Sequence, residues 1–226
     1  MPTISFIMPA FKKAFLAEAI QSILQQTSDD WELVIVDDAS PEPLKQVVES
    51  FSDERIRFYR NEKNLGGENL VNQWNHCIQY ATGDFIVLAA DDDLYEPMFC
   101  EEVIKLISKY PDVDLVRARV QQIDENGNNL PYSDGLFPEL SSKYEYLHDW
   151  ITAKVFSCVG NFAFRRSALL QLGGFIDFPC AFGSDIATPI ALSVNGVANT
   201  SDMLFNFRQS GNHLSGDCSR YREKLE

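Results

Sequence analysis

The sequence of 226 residues has few cysteines, few basic residues and no long hydrophobic segment. Its five cysteines are scattered and include no CxxC pair, which fits free thiols in a reducing compartment and argues against a disulfide framework or a zinc site. No apolar run approaches the roughly 18 residues of a membrane-spanning helix, and residues 1–11 lack the features of a secretory signal. We therefore expect a cytoplasmic protein, and peripheral association with the inner face of a membrane stays open.

Basic residues are outnumbered by acidic ones. The chain has 19 lysines and arginines against 33 aspartates and glutamates, which gives a formal net charge of −14. An acidic surface repels phosphate backbones, so the composition argues against a nucleic-acid partner. An anionic small molecule would need a divalent cation between its phosphates and the acidic side chains.

Strand and helix patterns alternate through the first 118 residues. Short apolar runs predict buried strands, and apolar residues at helical spacing predict helices between them. The strands are predicted at 4–8, 33–36, 56–59, 85–90 and 113–116, and the helices at 14–26, 43–51, 70–81 and 97–110. A glycine at position 83 is expected to close the third helix in the left-handed conformation. This order predicts an α/β fold with a mostly parallel central sheet flanked by helices.

The alternation weakens after residue 118. The segment DENGNN at 124–129 predicts a hairpin turn, and the polar segment 131–145, which proline and glycine interrupt, is typical of a mobile loop. We then expect a strand at 159–164, a short helix that ends at Gly173, and a helix over 186–195. This divides one domain into a first half, 1–118, and a second half, 119–210, followed by a polar tail, 211–226.

Carboxylates directly follow two of the predicted strands. Asp37 and Asp38 end the second strand, and three consecutive aspartates at 91–93 end the fourth. Because ligands of open parallel sheets bind at the carboxyl ends of the strands, these groups are candidates for one site. Hard oxygen ligands select Mg²⁺ or Mn²⁺, which bind through one or two carboxylates and substrate phosphates. The structural alternatives are a solvated acidic turn at 91–93 and a turn at 37–41 in which Ser40 caps the following helix.

These segments occur in an order that resembles glycosyltransferase family 2, whose members have the GT-A fold. The segments that carry the resemblance are IMPAF at 7–11, AIQSILQQT at 19–27, ELVIVDDAS at 32–40, NLG at 64–66, WN at 74–75, ATGD at 81–84, LAADDDLYEP at 88–97, FAFRR at 162–166 and GGF at 173–175. Together they cover about residues 3–210. The resemblance implies a first half that binds a nucleotide sugar and a second half that binds the acceptor and carries the catalytic residue.

The resemblance also implies which side chains bind the nucleotide-sugar donor. Phe11 would lie near the base, and Asp38, with Asp37, would contact the base or ribose. Asp91 would lie near the ribose or sugar. Late basic residues of similar enzymes bind diphosphate or metal, although surface placement is the alternative for them here. The expected substrate-binding residues are Pro9, Ala10, Phe11, Asp37, Asp38, Asn64, Gly66, Asp91 and Arg208.

For the cofactor, the resemblance implies Mn²⁺ or Mg²⁺. Asp92 stands five residues before Pro97, as the principal metal ligand does in relatives, and His213 would be a second ligand. Ala89 occupies the position where many members have the first acid of the Asp-x-Asp motif. Asp92 is therefore the only residue of this motif that we expect to bind the metal. Asp93 is expected at the surface.

The general base of an inverting transfer is expected at Asp185, which follows the GGF segment as the acidic base does in the family. The structural alternative is an N-cap for the next helix. Because Thr188 and Pro189 could instead be the cap and the first helical residue, we expect Asp185 just outside that helix. Asp177 is the second candidate for the base.

The function implied is transfer of a sugar from a nucleotide-diphosphate donor, with a UDP-sugar preferred, to a hydroxyl of a saccharide or lipid-linked saccharide. The absence of membrane spans favours transfer of a single sugar, and the sequence leaves homodimer formation open. An alternative from another class is a noncatalytic protein of the same fold that binds a nucleotide sugar or serves in assembly, which Ala89 keeps open.

Overall fold

The computed structural model describes residues 2–210. Within this range the chain forms ten strands and seven α-helices. The strands are β1 (Ile4–Ala10), β2 (Trp31–Asp37), β3 (Ile56–Arg60), β4 (Phe85–Leu88), β5 (Leu94–Tyr95), β6 (Leu115–Ile123), β7 (Asn129–Ser133), β8 (Leu140–Ser141), β9 (Phe162–Arg165) and β10 (Val197–Arg208). The helices are α1 (Leu16–Leu24), α2 (Leu44–Val48), α3 (Leu70–Cys77), α4 (Phe99–Lys109), α5 (Lys143–Ile151), α6 (Arg166–Leu172) and α7 (Ser184–Leu192).

All ten strands belong to one sheet. Its main order is β3-β2-β1-β4-β9-β6-β10-β5, with β7 paired to β6 and β8 paired to β10. Strands β3, β2, β1 and β4 pair in parallel, as do β6 and β10, whereas β9 runs antiparallel between β4 and β6. The α/β sheet predicted from the alternation is therefore present, and both halves of the chain contribute to it.

Helices cover both faces of the sheet. Along β1 the side chains alternate, so that Phe6 and Met8 pack with α1, α2 and α4, while Ile7 packs on the other face with α3, α5, α6 and α7. This alternation follows from the two-residue period of a strand. Strand β2 is buried at every position, as its continuous apolar sequence predicts. Among residues 2–210, no helix combines the length and the hydrophobicity needed to cross a membrane.

Two local predictions need correction. Gly83 does not have a positive φ, and α3 already ends at Cys77, so this glycine is not a left-handed cap. It is needed for packing, because a Cβ at this position would lie 2.8 Å from Ser5 Oγ. The segment 131–145 is not one loop, since it contains most of β7, β8 and the start of α5.

The start of α5 has a sequence signal that hydropathy did not reveal. Ser142 and Glu145 form a capping box, in which the Ser142 side chain accepts from the Glu145 N–H and the Glu145 carboxylate accepts from the Ser142 N–H. The S-x-x-E spacing is typical of a helix N-terminus. The predicted stop at Gly173 is present, with φ of 93° at the end of α6.

Candidate functional site

The carboxyl ends of β1, β2 and β4 lie side by side. Ala10 pairs with Asp37 in the β1–β2 register, and the next residue, Asp38, donates its N–H to the Ala10 carbonyl at 2.9 Å. On the other side of β1, Ile7 pairs with Leu88, the last residue of β4. Both acidic segments therefore emerge at one edge of the sheet, where open α/β sheets bind ligands.

Residues 10–12 touch both acidic segments. Asp91 Oδ2 accepts from the N–H groups of Phe11 and Lys12 at 2.8 and 2.9 Å, and Ser40 Oγ donates to the Phe11 carbonyl at 2.6 Å. The Phe11 side chain is 38% exposed at this edge. The segment that the sequence places beside the nucleoside thus lies between the two strand ends.

Asp37 is fully buried and belongs to the packing of the strand end. Its Oδ1 accepts from the Ser40 N–H at 2.8 Å, and its Oδ2 forms an ion pair with Arg60, which is half-exposed. Ser40 Oγ also accepts from the Glu42 N–H at 3.1 Å, which makes it a turn residue before α2. Arg60 is the charged neighbour that sequence reasoning missed.

Asp38 holds the loop between β3 and α3. Its carboxylate accepts from the Leu65 N–H, the Gly66 N–H and Asn61 Nδ2 at 2.9, 2.7 and 2.7 Å. A Cβ on Gly66 would lie 3.0 Å from Asp38 Oδ2, so the absence of a side chain permits this close approach. Asn64 completes the loop, since its Oδ1 accepts from the Gly67 N–H at 2.6 Å. Three residues of the predicted donor site, Asp38, Asn64 and Gly66, therefore form one unit.

Within the acidic segment 91–93, the carboxylates of Asp91 and Asp93 have different partners. Asp91 contacts residues 11 and 12. Burial raises the pKa of its carboxyl, and the N–H groups of residues 11 and 12 offset part of this rise. Asp93 is buried, with Oδ1 accepting from the Arg208 N–H at 2.9 Å, so the expectation that it lies at the surface is wrong. Burial, followed by the charge of Asp92, raises the pKa of Asp93 well above its ordinary range.

A divalent metal would have a restricted set of ligands here. Within residues 2–210, no three His, Cys, Asp or Glu side chains converge in a way that could hold an ion. Asp92 is half-buried at the strand end, which fits an Mg²⁺ or Mn²⁺ bound by one carboxylate and substrate phosphates. Ala89 is packed in the core at 1% exposure, and His213 lies outside the described residues.

Asp185 lies in the first turn of α7, not outside a later helix. The helix starts at Ser184, after Gly183 with φ of 87°, and Pro189 is inside it. Thr188 is not the cap, because its Oγ1 accepts from the Ile176 N–H at 3.0 Å. Proline has no N–H, so the Asp185 carbonyl lacks the usual bond from four residues ahead. Burial raises the pKa of the Asp185 carboxyl from its ordinary value of 3.8 to about 6.

The pKa of the Cys158 thiol is affected both by Asp185 and by Asp93 of the acidic segment. Burial raises the pKa of this thiol well above its ordinary range, and the charges of Asp93 and Asp185 raise it further. The segment before β9 therefore lies within the electrostatic influence of both carboxylates. The second candidate base, Asp177, is exposed and accepts from Asn69 Nδ2 at 2.8 Å.

Arg208 is the last residue of β10, and its side chain is fully buried. Its guanidinium donates to Asp92, Glu125 and Glu18, and lies over the Phe15 ring. The sequence predicts that this arginine binds the donor, and in the structure it contacts the 91–93 segment. Its partners Glu18 and Phe15, on and before α1, were not predicted.

Two cavities lie away from the strand ends. One of about 390 Å³ is lined by Pro138 and residues of α5, and one of about 420 Å³ lies between β8, the start of α5 and residues 194–196. Neither cavity includes a residue predicted for the site.

A family model for "Glycosyl transferase family 2" matches residues 5–173. The chain belongs to glycosyl transferase family 2. This family 2 chain is 32% identical over 134 residues to the uncharacterized glycosyltransferase MJ1057 of Methanocaldococcus jannaschii, a match that covers 57% of the chain and 45% of MJ1057. The chain therefore spans less than half the length of that relative.

Solved structures share the fold of this family 2 chain. Staphylococcus aureus TarS 1–349 in complex with UDP-GlcNAc superimposes with a TM-score of 0.75 at 20% identity, over 96% of this chain and 61% of that one. Mannosyltransferase PcManGT from Pyrobaculum calidifontis, in complex with GDP-Man and Mn²⁺, gives a TM-score of 0.64 at 20% identity, over 94% and 59%. The GT-A fold predicted from the sequence is thereby confirmed.

Proposed function

We propose that this protein is an inverting glycosyltransferase that moves a sugar from a nucleotide-diphosphate donor, preferably a UDP-sugar, to a hydroxyl of a saccharide or lipid-linked saccharide. The observation that carries the proposal is the position of Asp185 in the first turn of α7, where burial raises the pKa of its carboxyl to about 6. A base with a pKa near the working pH combines a deprotonated state with a useful proton affinity.

The donor assignment draws on the strand ends. Phe11 is exposed between the two acidic segments, and Asp38 shapes the loop at 61–66 beside them. Structures of TarS in complex with UDP and UDP-GlcNAc, and of PcManGT in complex with GDP-Man and Mn²⁺, support a nucleotide-sugar donor, and the TarS complexes favour uridine as the nucleoside. The buried free thiols Cys77 and Cys100 favour a reducing compartment such as the cytoplasm.

In the reaction we propose, Asp185 accepts the proton of the acceptor hydroxyl as its oxygen attacks the anomeric carbon. The bond from that carbon to the diphosphate oxygen breaks, and the nucleoside diphosphate leaves from the opposite face, which inverts the configuration. A bound Mg²⁺ or Mn²⁺, held by Asp92 and the phosphates, would offset the charge of the departing diphosphate.

The test measures donor binding and donor turnover separately. UDP-, GDP- and dTDP-sugars are screened with Mn²⁺ by thermal shift, where a ligand at 100 times its Kd stabilises by about 2.7 kcal/mol. Asp92→Asn should abolish the Mn²⁺-dependent shift, whereas Asp84→Asn, an exposed carboxyl at the opposite end of β4, should keep it. Unchanged donor affinity in Asp92→Asn would remove the metal role.

Release of nucleoside diphosphate separates the enzyme from the alternative. The wild type should release it from the selected donor in the presence of mono- and oligosaccharide acceptors. Mn²⁺-dependent binding of a donor, with no release against any acceptor and none by hydrolysis, would instead favour a noncatalytic sugar-nucleotide-binding protein.

A further inference from the structure

Arg208 makes four hydrogen bonds to three separate segments. Its own N–H donates to Asp93 Oδ1 at 2.9 Å, and its Nε donates to the Asp92 carbonyl at 2.7 Å. Its Nη1 donates to the carbonyl of Glu125, in the turn between β6 and β7, at 2.9 Å. Its Nη2 donates to Glu18 Oε2 on α1 at 2.8 Å. One arginine thus joins the 91–93 segment to a helix and to a hairpin.

The guanidinium faces protein on every side. Its side chain has no exposed surface, each of its three nitrogens has a protein acceptor, and the Phe15 ring lies 4.3 Å from Cζ. Bidentate recognition of a phosphate requires two N–H groups directed at the anion from an accessible fork. Arg208 does not present that fork in this structure.

The segment that Arg208 holds needs a fixed conformation and a positive neighbour. Three adjacent carboxylates repel one another, and Asp93 is buried among them. Arg208 bonds both the backbone carbonyl of Asp92 and the side chain of Asp93. These two bonds restrain the backbone of residues 92 and 93, and with it the direction of the Asp92 carboxylate. Mutation of a group that orients a metal ligand in this way typically lowers metal affinity or activity by about 10–100-fold.

We propose that Arg208, anchored by Glu18, is a positioning residue that orients the 91–93 segment toward the donor diphosphate, and that it does not bind the diphosphate itself. This inference rests on the proposed function for the identity of the ligand. Glu18 is the key to testing it, because its side chain is 57% exposed on α1 and its described contact is with Arg208.

The experiment compares Arg208→Lys, Glu18→Ala and the double variant, with Glu49→Ala as the control. Glu49, the residue after the short helix α2, also forms an exposed ion pair, with Lys45. Affinities for UDP with Mn²⁺, and for uridine alone, are measured by calorimetry well below each variant's Tm. Exchange of the amides at 91–93 is measured without ligand.

A positioning role predicts that Arg208→Lys and Glu18→Ala each weaken UDP·Mn²⁺ binding, by about 10–100-fold and about 3–10-fold, while uridine affinity changes less than about 2-fold. The losses should not add in the double variant, because the two side chains act through one contact. Amide exchange at 91–93 should accelerate in both single variants and stay unchanged in Glu49→Ala.

Other outcomes refute the proposal. Normal UDP affinity and exchange in Glu18→Ala, with a loss confined to Arg208→Lys, would assign Arg208 to direct diphosphate binding. Parallel losses for UDP and uridine would indicate a general structural role. If the wild type binds neither UDP nor uridine, the proposed function fails, and amide exchange alone then decides whether Glu18 and Arg208 order the segment.

Discussion

Replacing Asp185 by asparagine should make the protein more stable while it abolishes most turnover. Burial raises the pKa of this carboxyl from 3.8 to about 6, so its ionised form is disfavoured in the folded state. Because each step of one in pKa is worth 1.36 kcal/mol, the ionised Asp185 costs about 3 kcal/mol above pH 7. Asparagine has nearly the same shape and no charge, so Asp185→Asn avoids this cost.

The pH dependence gives the sign of the effect. A raised folded-state pKa means that the folded protein binds more protons than the unfolded chain between 3.8 and about 6. The contribution of Asp185 is therefore most favourable below 3.8 and is lost as the pH rises through 6. The advantage of Asp185→Asn should be about 3 kcal/mol at pH 7.5 and about 0.5 kcal/mol at pH 4.

Thermal unfolding over this pH range measures the advantage directly. For a chain of this size, 3 kcal/mol corresponds to a rise in Tm of about 6–12 °C at pH 7.5. Asp202→Asn, which removes an exposed carboxyl next to the middle of β10, should change Tm little at any pH. An Asp185→Asn protein with an equal or lower Tm at pH 7.5 would refute the argument that the ionised Asp185 carboxylate destabilises the folded protein.

Turnover provides the second half of the same prediction. The rate of nucleoside diphosphate release should fall about 10²–10⁴-fold in Asp185→Asn, because no base accepts the acceptor proton. In the wild type it should fall below about pH 6, as Asp185 becomes protonated. Stability gained together with activity lost would identify Asp185 as a group kept for chemistry, and near-normal turnover would remove it as the base.

Two further substitutions test the packing at opposite ends of the parallel strands: Gly83 lies before β4, and Asp38 follows β2. Gly83→Ala should lower the free energy of unfolding by about 1–3 kcal/mol in a denaturant titration, because the added Cβ would lie 2.8 Å from Ser5 Oγ; an unchanged midpoint would show that the neighbours relax. Asp38→Ala should leave the N–H groups of Leu65 and Gly66 without their acceptor. The free energy of unfolding should therefore fall by about 2–4 kcal/mol, and UDP binding should weaken. A loss of UDP affinity without loss of stability would mean that Asp38 contacts the nucleotide and does not hold the loop.

The sequence predicts the parallel part of the fold well, because the relevant signals are local. The buried run of β2 and the apolar spacing of α1 each lie within a single element, and the same holds for the acids at the strand ends. Where the elements become short, periodicity fails. Strands β5 and β8 have two residues each, so neither contains enough positions to show a period.

Errors in the second half have a different origin. Pro189 has no N–H to bond the Asp185 carbonyl, so local chemistry favours a helix that starts at this proline. The structure starts the helix at Ser184 because Gly183 turns the chain in the left-handed conformation, and Thr188 bonds the Ile176 backbone instead of capping. A tertiary contact thus overrides a local preference, which a single sequence does not reveal.

The contrast between Asp92 and Arg208 shows where such prediction ends. Asp92 is predicted as a metal ligand from its place in the acidic run after a buried strand, five residues before Pro97, whereas the role proposed for Arg208 depends on Glu18, 190 residues away in the sequence. No local sequence pattern distinguishes an arginine that binds a phosphate from one that is buried against a phenylalanine ring, since both are cations at the end of a strand. The distinction rests on burial and on the partners of each nitrogen, which is why Glu18→Ala, a change on a surface helix, is the substitution that tells the two roles apart.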